Sequence, residues 1–199
     1  MKEELVGLLG AAAVATRPVH DLWPLGVMRR RAGLRDPALL VVKPGSYEEV
    51  AKVLAWAAQR GLRVLAAGGG SGVCGALAGA QGELAIDLGR LDRIMEVDEV
   101  NLLCRVQAGV RGLALETHLN QRGLTLGHYP TSLEMATVGG LISTRSSGQQ
   151  STRYGSVEDM VQGLRVALLD GTLLEPRPGP RSAVGPALEQ LWMGAEGQL

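Results

Sequence analysis

The stretch that most constrains this chain is a short apolar run, Arg63-Val64-Leu65-Ala66-Ala67, which opens into Gly68-Gly69-Gly70-Ser71-Gly72-Val73-Cys74-Gly75. The run reads as a buried strand entering a glycine loop. Residues without Cβ atoms let peptide N–H groups come up against a ligand. Several such N–H groups in a row make a concavity that holds an anion, most often a phosphate. Taken alone, the glycines are equally explained by a plain turn between two strands.

Gly70-x-Gly72-x-x-Gly75 also matches the dinucleotide fingerprint in form, and Asp87 follows about where a ribose-binding acid belongs. That fingerprint has to open a helix whose N-terminus carries the pyrophosphate. The following Ala76-Leu77-Ala78-Gly79-Ala80-Gln81-Gly82 is too short and too glycine-rich for one, and a second strand, Leu84 to Leu88, comes at once. The order is strand, loop, strand. Phosphate binding by loop backbone is the better reading.

At 199 residues the chain predicts one domain, with room for a small subdomain. It is 46% hydrophobic and 20% charged with a formal net charge of zero, a balance that gives no reason to expect nucleic acid or an anionic membrane surface as a partner. Two cysteines, Cys74 and Cys104, suit a reducing compartment, and neither has metal-ligand spacing to any of the 3 histidines. Both read as small buried side chains, and no metal site is predicted. The apolar stretch from Leu5 to Ala15 resembles a signal peptide, but its head, Lys2-Glu3-Glu4, is net negative where a positive charge is required. It reads as a helix with acids complementing its dipole, in a cytoplasmic protein without a membrane span.

Residues 16–37 read as a loosely ordered lead-in. Leu39 to Val42 is a strand. Ser46 caps a helix, with Glu49 completing a capping box, that runs to about Arg60 and ends at Gly61. Strand, helix, strand, glycine loop and strand form a small α/β unit with parallel pairing. Beyond about residue 90, Ile94 to Val97 and Leu102 to Gln107 read as strands, and Gly112 to Gln121 as a helix closed by Gly123. Met160 to Leu169 and Thr172 to Glu175 read as a hairpin about Asp170-Gly171. Residues 176–180 read as a loop, and Ala183 to Trp192 as a last short helix. The fold class is α+β, a small parallel α/β subdomain at about 38–90 and a larger, mainly antiparallel α+β one at about 91–199.

Residues 127–155 carry a long run of hydroxyls and glycines. Thr137 caps a short helix begun at Val138, and Gly139 and Gly140 would let a flat ligand lie against its first turn. Thr144, Ser146 and Ser147 offer hydroxyls and Arg145 a charge. The chemistry fits a second phosphate or sugar contact, and equally a capped helix.

Five motifs then occur in order: Pro44-Gly45-Ser46-Tyr47-Glu48-Glu49-Val50, Gly68 to Gly72 behind its strand, Thr137-Val138-Gly139-Gly140, Ser143-Thr144-Arg145-Ser146-Ser147-Gly148 with Arg153-Tyr154-Gly155, and Gly194-Ala195-Glu196-Gly197. Together they resemble the PCMH-type FAD-binding domain of the vanillyl-alcohol oxidase type of flavoenzymes, over residues 38–199. Thr131-Ser132-Leu133-Glu134-Met135-Ala136-Thr137 is most similar to alkylglycerone-phosphate synthase, with glycolate and D-lactate dehydrogenase flavin subunits next.

The resemblance implies that Ala66, Ala67, Gly68, Gly69, Gly70, Ser71 and Gly72 wrap the FAD pyrophosphate. It implies that Thr131, Ser132, Leu133, Thr137, Gly139, Gly140, Thr144, Arg145, Ser146 and Ser147 meet pyrophosphate, ribityl chain and isoalloxazine. Glu196 and Gly197 would approach the adenine end. Some members attach FAD through a histidine in the glycine loop. Ser71 stands in that place here, so noncovalent FAD is implied.

No residue presents itself as catalytic; His128 and Tyr129, at the implied flavin edge, read better as a packed His-Tyr-Pro corner. The resemblance implies a substrate domain following the FAD domain, and the chain is expected to stop before it. The expected function is the FAD-binding portion of a flavin-dependent oxidoreductase or alkylglycerone-phosphate-synthase-like enzyme. Its substrate is an unspecified small molecule, and self-association or a partner chain would cover the open flavin face. The alternative is a truncated or degenerate nucleotide-binding domain without turnover.

Overall fold

The computed structural model describes residues 1–78, 83–176, 179 and 183–199. The chain divides into two compact units, Met1–Arg90 with Ala167–Leu173, and Leu91–Val166 with Leu174–Leu199.

The first unit is built on a four-stranded sheet in the order β1-β2-β4-β3, from β1 (Val14–Pro18), β2 (Ala38–Val42), β3 (Val64–Ala67) and β4 (Leu84–Asp87). β2, β4 and β3 run parallel, as expected, with Val42 opposite Ile86 and Ala66 opposite Ile86 on its other side. Side chains alternate across the sheet. Val42, Leu84 and Ile86 turn to one face, where they meet Leu5 of α1 (Lys2–Leu9) and Val53, Trp56 and Ala57 of α3 (Tyr47–Ala58). Leu39, Val41 and Ala85 turn to the other face with Val19. Ser46 Oγ accepts the Glu49 N–H at 3.1 Å, and Glu49 Oε2 reaches back one residue further, to the Gly45 N–H at 2.6 Å. Gly61, at φ +61°, ends α3 with Leu62 N–H bonded to the Ala57 carbonyl.

Two expectations at the N-terminus are corrected. The helix expected to reach Ala15 stops at Leu9, because Gly10 turns to φ +84°, and Val14 already begins a strand. Residues 16–37 are no loose lead-in. β1 pairs antiparallel with β2, and α2 (Pro24–Arg31) has Pro24 in its first turn and Arg29, Arg30 and Arg31 in its last, where cations meet the negative end of the helix dipole.

In the second unit β5 (Ile94–Asp98) and β6 (Leu103–Val106) pair antiparallel, and Ile94, Val97, Cys104 and Val106 pack with Leu115 and Leu119 of α4 (Gly112–Asn120). Gly123, at φ +69°, closes α4. A second cluster joins Leu141 of α5 (Val138–Ser143) to Val157 of α7 (Val157–Met160), with α6 (Ser151–Tyr154) between them in sequence. The hairpin about Asp170-Gly171, whose residues Ala167–Leu173 belong to the first unit, forms, but its strands, β7 (Val166–Ala167) and β8 (Leu173–Leu174), are shorter than expected. Its loop is closed by Leu168 N–H on the Thr172 carbonyl at 2.8 Å with Gly171 left-handed at φ +88°. The last helix shrinks to a single 3-10 turn at Leu188–Leu191. The expected loop at 176–180 and the residues at 79–82 lie largely or wholly outside the described residues. No helix among the described residues is long and apolar enough to cross a membrane.

Candidate functional site

β3 delivers the chain into the glycine loop at the carboxyl end of the parallel strands, the end at which open α/β sheets bind ligands. Ala67 is buried, and Gly68 to Gly72 are partly or fully exposed. The peptide N–H groups of Gly68, Gly69, Gly70, Ser71 and Gly72 donate to no hydrogen bond among the described residues. Gly70 needs its glycine, for it sits at φ +70° and a Cβ there would stand 3.0 Å from the His20 carbonyl. No helix follows within 71–78. The Asp87 carboxylate is engaged by Arg17 at 2.8 Å, Lys43 at 3.2 Å and the Gly89 N–H at 2.9 Å. Both facts argue against the dinucleotide-fingerprint reading. Cys74, expected buried, is exposed in the irregular stretch after the glycine loop; Cys104, expected buried, is half-buried against a core, and burial pushes its thiol pKa up.

In the second unit, residues 131–135 form a turn. Thr131 is exposed and Ser132 half-buried, and neither hydroxyl has a hydrogen bond among the described residues. The Leu133 side chain is held by packing, 2.8 Å from where a Cβ on Gly112 would stand. Thr137 Oγ1 accepts the Gly140 N–H at 3.2 Å and so caps α5 as expected. Gly139 faces protein: a Cβ would meet Ala108 at 2.8 Å, so close packing accounts for this glycine in place of the clearance for a flat ligand.

The polar groups at 144–147 are committed within the unit. Thr144 Oγ1 donates to the Gly140 carbonyl at 3.0 Å, and Ser147 Oγ lies 2.5 Å from Ser156 Oγ. Arg145 Nε donates to the Met193 carbonyl at 3.0 Å and Nη2 to the Gln190 carbonyl at 3.1 Å. Ser146 Oγ pairs with His128 Nε2 at 3.2 Å. Glu196 is exposed, at φ +51°, its N–H on the Ser143 carbonyl at 3.0 Å, and Gly197 follows at φ +77°.

His128 and Tyr129 form the packed corner foreseen, with a carboxylate that no motif announced. His128 is fully buried, and burial lowers its pKa while Glu158 raises it. Among the described residues its Nδ1 has no hydrogen-bond partner, nor has the buried Oε2 of Glu158. Glu116, 3% exposed, accepts from Tyr129 Oη at 2.5 Å, Thr125 Oγ1 at 2.6 Å and the Leu126 N–H at 3.0 Å. That contact with Glu116 raises the Tyr129 pKa, so the phenol stays a proton donor. The signal available in sequence was a lone acid on the apolar face of α4, which no spacing rule marks. An open hollow of about 560 Å³ on α4, lined by Arg111, Thr117, His118 and Glu134 among others, includes none of the predicted cofactor residues.

A strand that empties into a glycine loop with unspent peptide N–H groups, and further along a Thr-capped helix over Val138–Ser143, are the features on which this α+β chain resembles known proteins. Residues 38–176 match the family described as FAD binding domain, and the chain belongs to that family. It is 38% identical over 164 residues to alkyldihydroxyacetonephosphate synthase of Caenorhabditis elegans, covering 80% of this chain and 28% of that protein. It is 31% identical over 162 residues to glycolate oxidase subunit GlcD of Bacillus subtilis, covering 80% of this chain and 34% of that one. Among solved structures, an alkyldihydroxyacetonephosphate synthase superposes with a TM-score of 0.89 at 30% identity, over 99% of this chain and 37% of that chain. The chain thus spans about a third of the length of the relatives it matches.

Proposed function

We propose that the glycine loop receives the diphosphate of a noncovalently bound FAD, and that the chain is the FAD-binding portion of a flavin-dependent oxidoreductase or alkyldihydroxyacetonephosphate-synthase-like enzyme. The observation that carries this is the row of peptide N–H groups from Gly68 to Gly72 that have no hydrogen-bond partner among the described residues. Peptide dipoles at a loop without Cβ bulk are what a diphosphate needs, and Lys or Arg is absent from residues 66–72. In this reading Thr131 and Ser132 keep their hydroxyls available to the cofactor, whereas the Gly140, Thr144, Arg145 and Ser146 N–H groups are spent on α5 and its ends. Glu196 and Gly197 would lie toward the adenine.

Bound FAD supplies the redox chemistry; the chain binds and orients it. The groups that hold a substrate are proposed to lie outside residues 1–199, which is supported by relatives about three times as long. Self-association or a partner chain and a cytoplasmic setting complete the reading. Exposed apolar side chains such as Leu25, Met28 and Leu34 favour the first.

The test is a visible spectrum of the purified protein saturated with FAD and freed of excess, then precipitated with acid. A flavin spectrum before precipitation, and all flavin in the supernatant after it, is expected. No retained flavin would overturn the assignment, and flavin held in the pellet would overturn noncovalent binding.

A further inference from the structure

Residues 20–23, ahead of the matched family region, lie directly against the glycine loop. Leu22 N–H donates to the Gly72 carbonyl at 2.8 Å. Asp21 beside it is 4% exposed, and its carboxylate ties two parts of the chain together: Oδ1 accepts the Trp23 N–H at 3.0 Å, and Oδ2 accepts the Leu77 N–H at 3.4 Å, just past the loop. Arg30 of α2 holds the same segment, with Nη2 on the Asp21 carbonyl at 2.8 Å and Nη1 on Asp36 at 2.9 Å. The His20 carbonyl fills the space beside Gly70, and the Trp23 ring lies 3.1 Å from where a Cβ on Gly75 would stand. One side of the loop is therefore packed against protein while its N–H groups stay unspent.

We infer that Asp21 is a positioning residue for diphosphate binding, holding residues 20–23 against the glycine loop so that the loop is ordered before the ligand arrives. The inference rests on the FAD reading above. Glycine-rich backbone has the most conformational freedom to lose, so a free loop would charge that ordering to binding. A braced loop does not, which is the general gain from preorganisation.

The test compares the wild-type chain with Asp21→Asn and Asp21→Ala, measuring affinity for FAD and for ADP, melting temperature and amide exchange at Leu22. ADP carries the diphosphate without the flavin. Both variants should lose about tenfold in affinity for FAD and ADP alike, which is about 1.4 kcal/mol, at temperatures well below their melting points. The Leu22 amide should exchange faster while the amides of β4 keep their protection. If Asp21→Ala does not fold, Asp21→Asn, which keeps an oxygen for the Trp23 N–H, carries the comparison. Unchanged affinity in a folded variant, or a lower melting temperature alone, overturns the positioning role, as does failure of both variants to fold. If the wild type binds neither FAD nor ADP, the FAD reading fails by itself, and unaccelerated exchange at Leu22 would then overturn the brace as well.

Discussion

Arg145 donates from Nε to the Met193 carbonyl at 3.0 Å while its own backbone is left-handed at φ +48°. It stands just past α5 where a helix usually ends in glycine: Arg145 N–H bonds the Ile142 carbonyl and Ser146 N–H the Leu141 carbonyl. An L-residue in that conformation costs about 1 kcal/mol or more, and the side chain offsets it by clasping the turn at Gln190 and Met193. Arg145→Ala loses the clasp and keeps the strain, whereas Arg145→Gly loses both. We expect Arg145→Ala to be less stable than Arg145→Gly by about 1 kcal/mol, or about 2–4 °C in melting temperature. Thermal melts of the two variants check this; equal melting points would remove the strain argument.

The Glu116 carboxylate is buried with three donors, so its loss should cost far more than the loss of any one donor. Tyr129→Phe leaves Thr125 and Leu126 in place and should cost about 1 kcal/mol. Glu116→Ala leaves the Leu126 N–H and two hydroxyls without their acceptor and should cost about 3 kcal/mol. Urea unfolding of both variants measures the contrast, and equal costs would show that the network is not the support of the His128 corner.

Burial holds the His128 pKa below its ordinary value, against the opposing pull of Glu158. The folded state then binds fewer protons than the unfolded state near and below about pH 6.5. The stability this group contributes is full above that value and is lost as the pH falls from it through the lower folded-state pKa. His128→Gln should flatten that part of the stability–pH curve. The check is a set of denaturation curves between about pH 5 and 8, and an identical slope in the variant would show that other groups set it.

What was legible in the sequence was what local chemistry dictates. Ser46, Thr137, Gly61 and Gly123 mark helix ends by capping groups or left-handed backbone, and each does so in the structure. The apolar runs from Leu39 to Val42 and from Leu84, set in a strand, helix, strand, glycine loop, strand order, read as a parallel unit, and β2, β4 and β3 pair in parallel. β1 was not legible because Thr16, Arg17 and Pro18 have no strand pattern of their own; the strand exists through pairing with β2 at the sheet edge, where proline is tolerated. Asp21 and Glu116 were hidden for a related reason, since what each carboxylate accepts comes largely from elsewhere in the chain. Gly139 shows the reverse case, a glycine whose motif suggested a ligand and whose neighbour is Ala108.

The claim that the glycine loop takes the diphosphate is tested most directly by titrating FAD, followed by flavin fluorescence, into the wild-type chain and Gly69→Val side by side. Gly69 is not among the left-handed glycines, so valine meets no left-handed backbone strain there, and on this account its side chain would occupy the space of the phosphates. The account predicts saturable binding by the wild type and at least about 100-fold weaker binding by Gly69→Val, about 2.7 kcal/mol, with matching thermal melts. Equal affinity in the two proteins would contradict it.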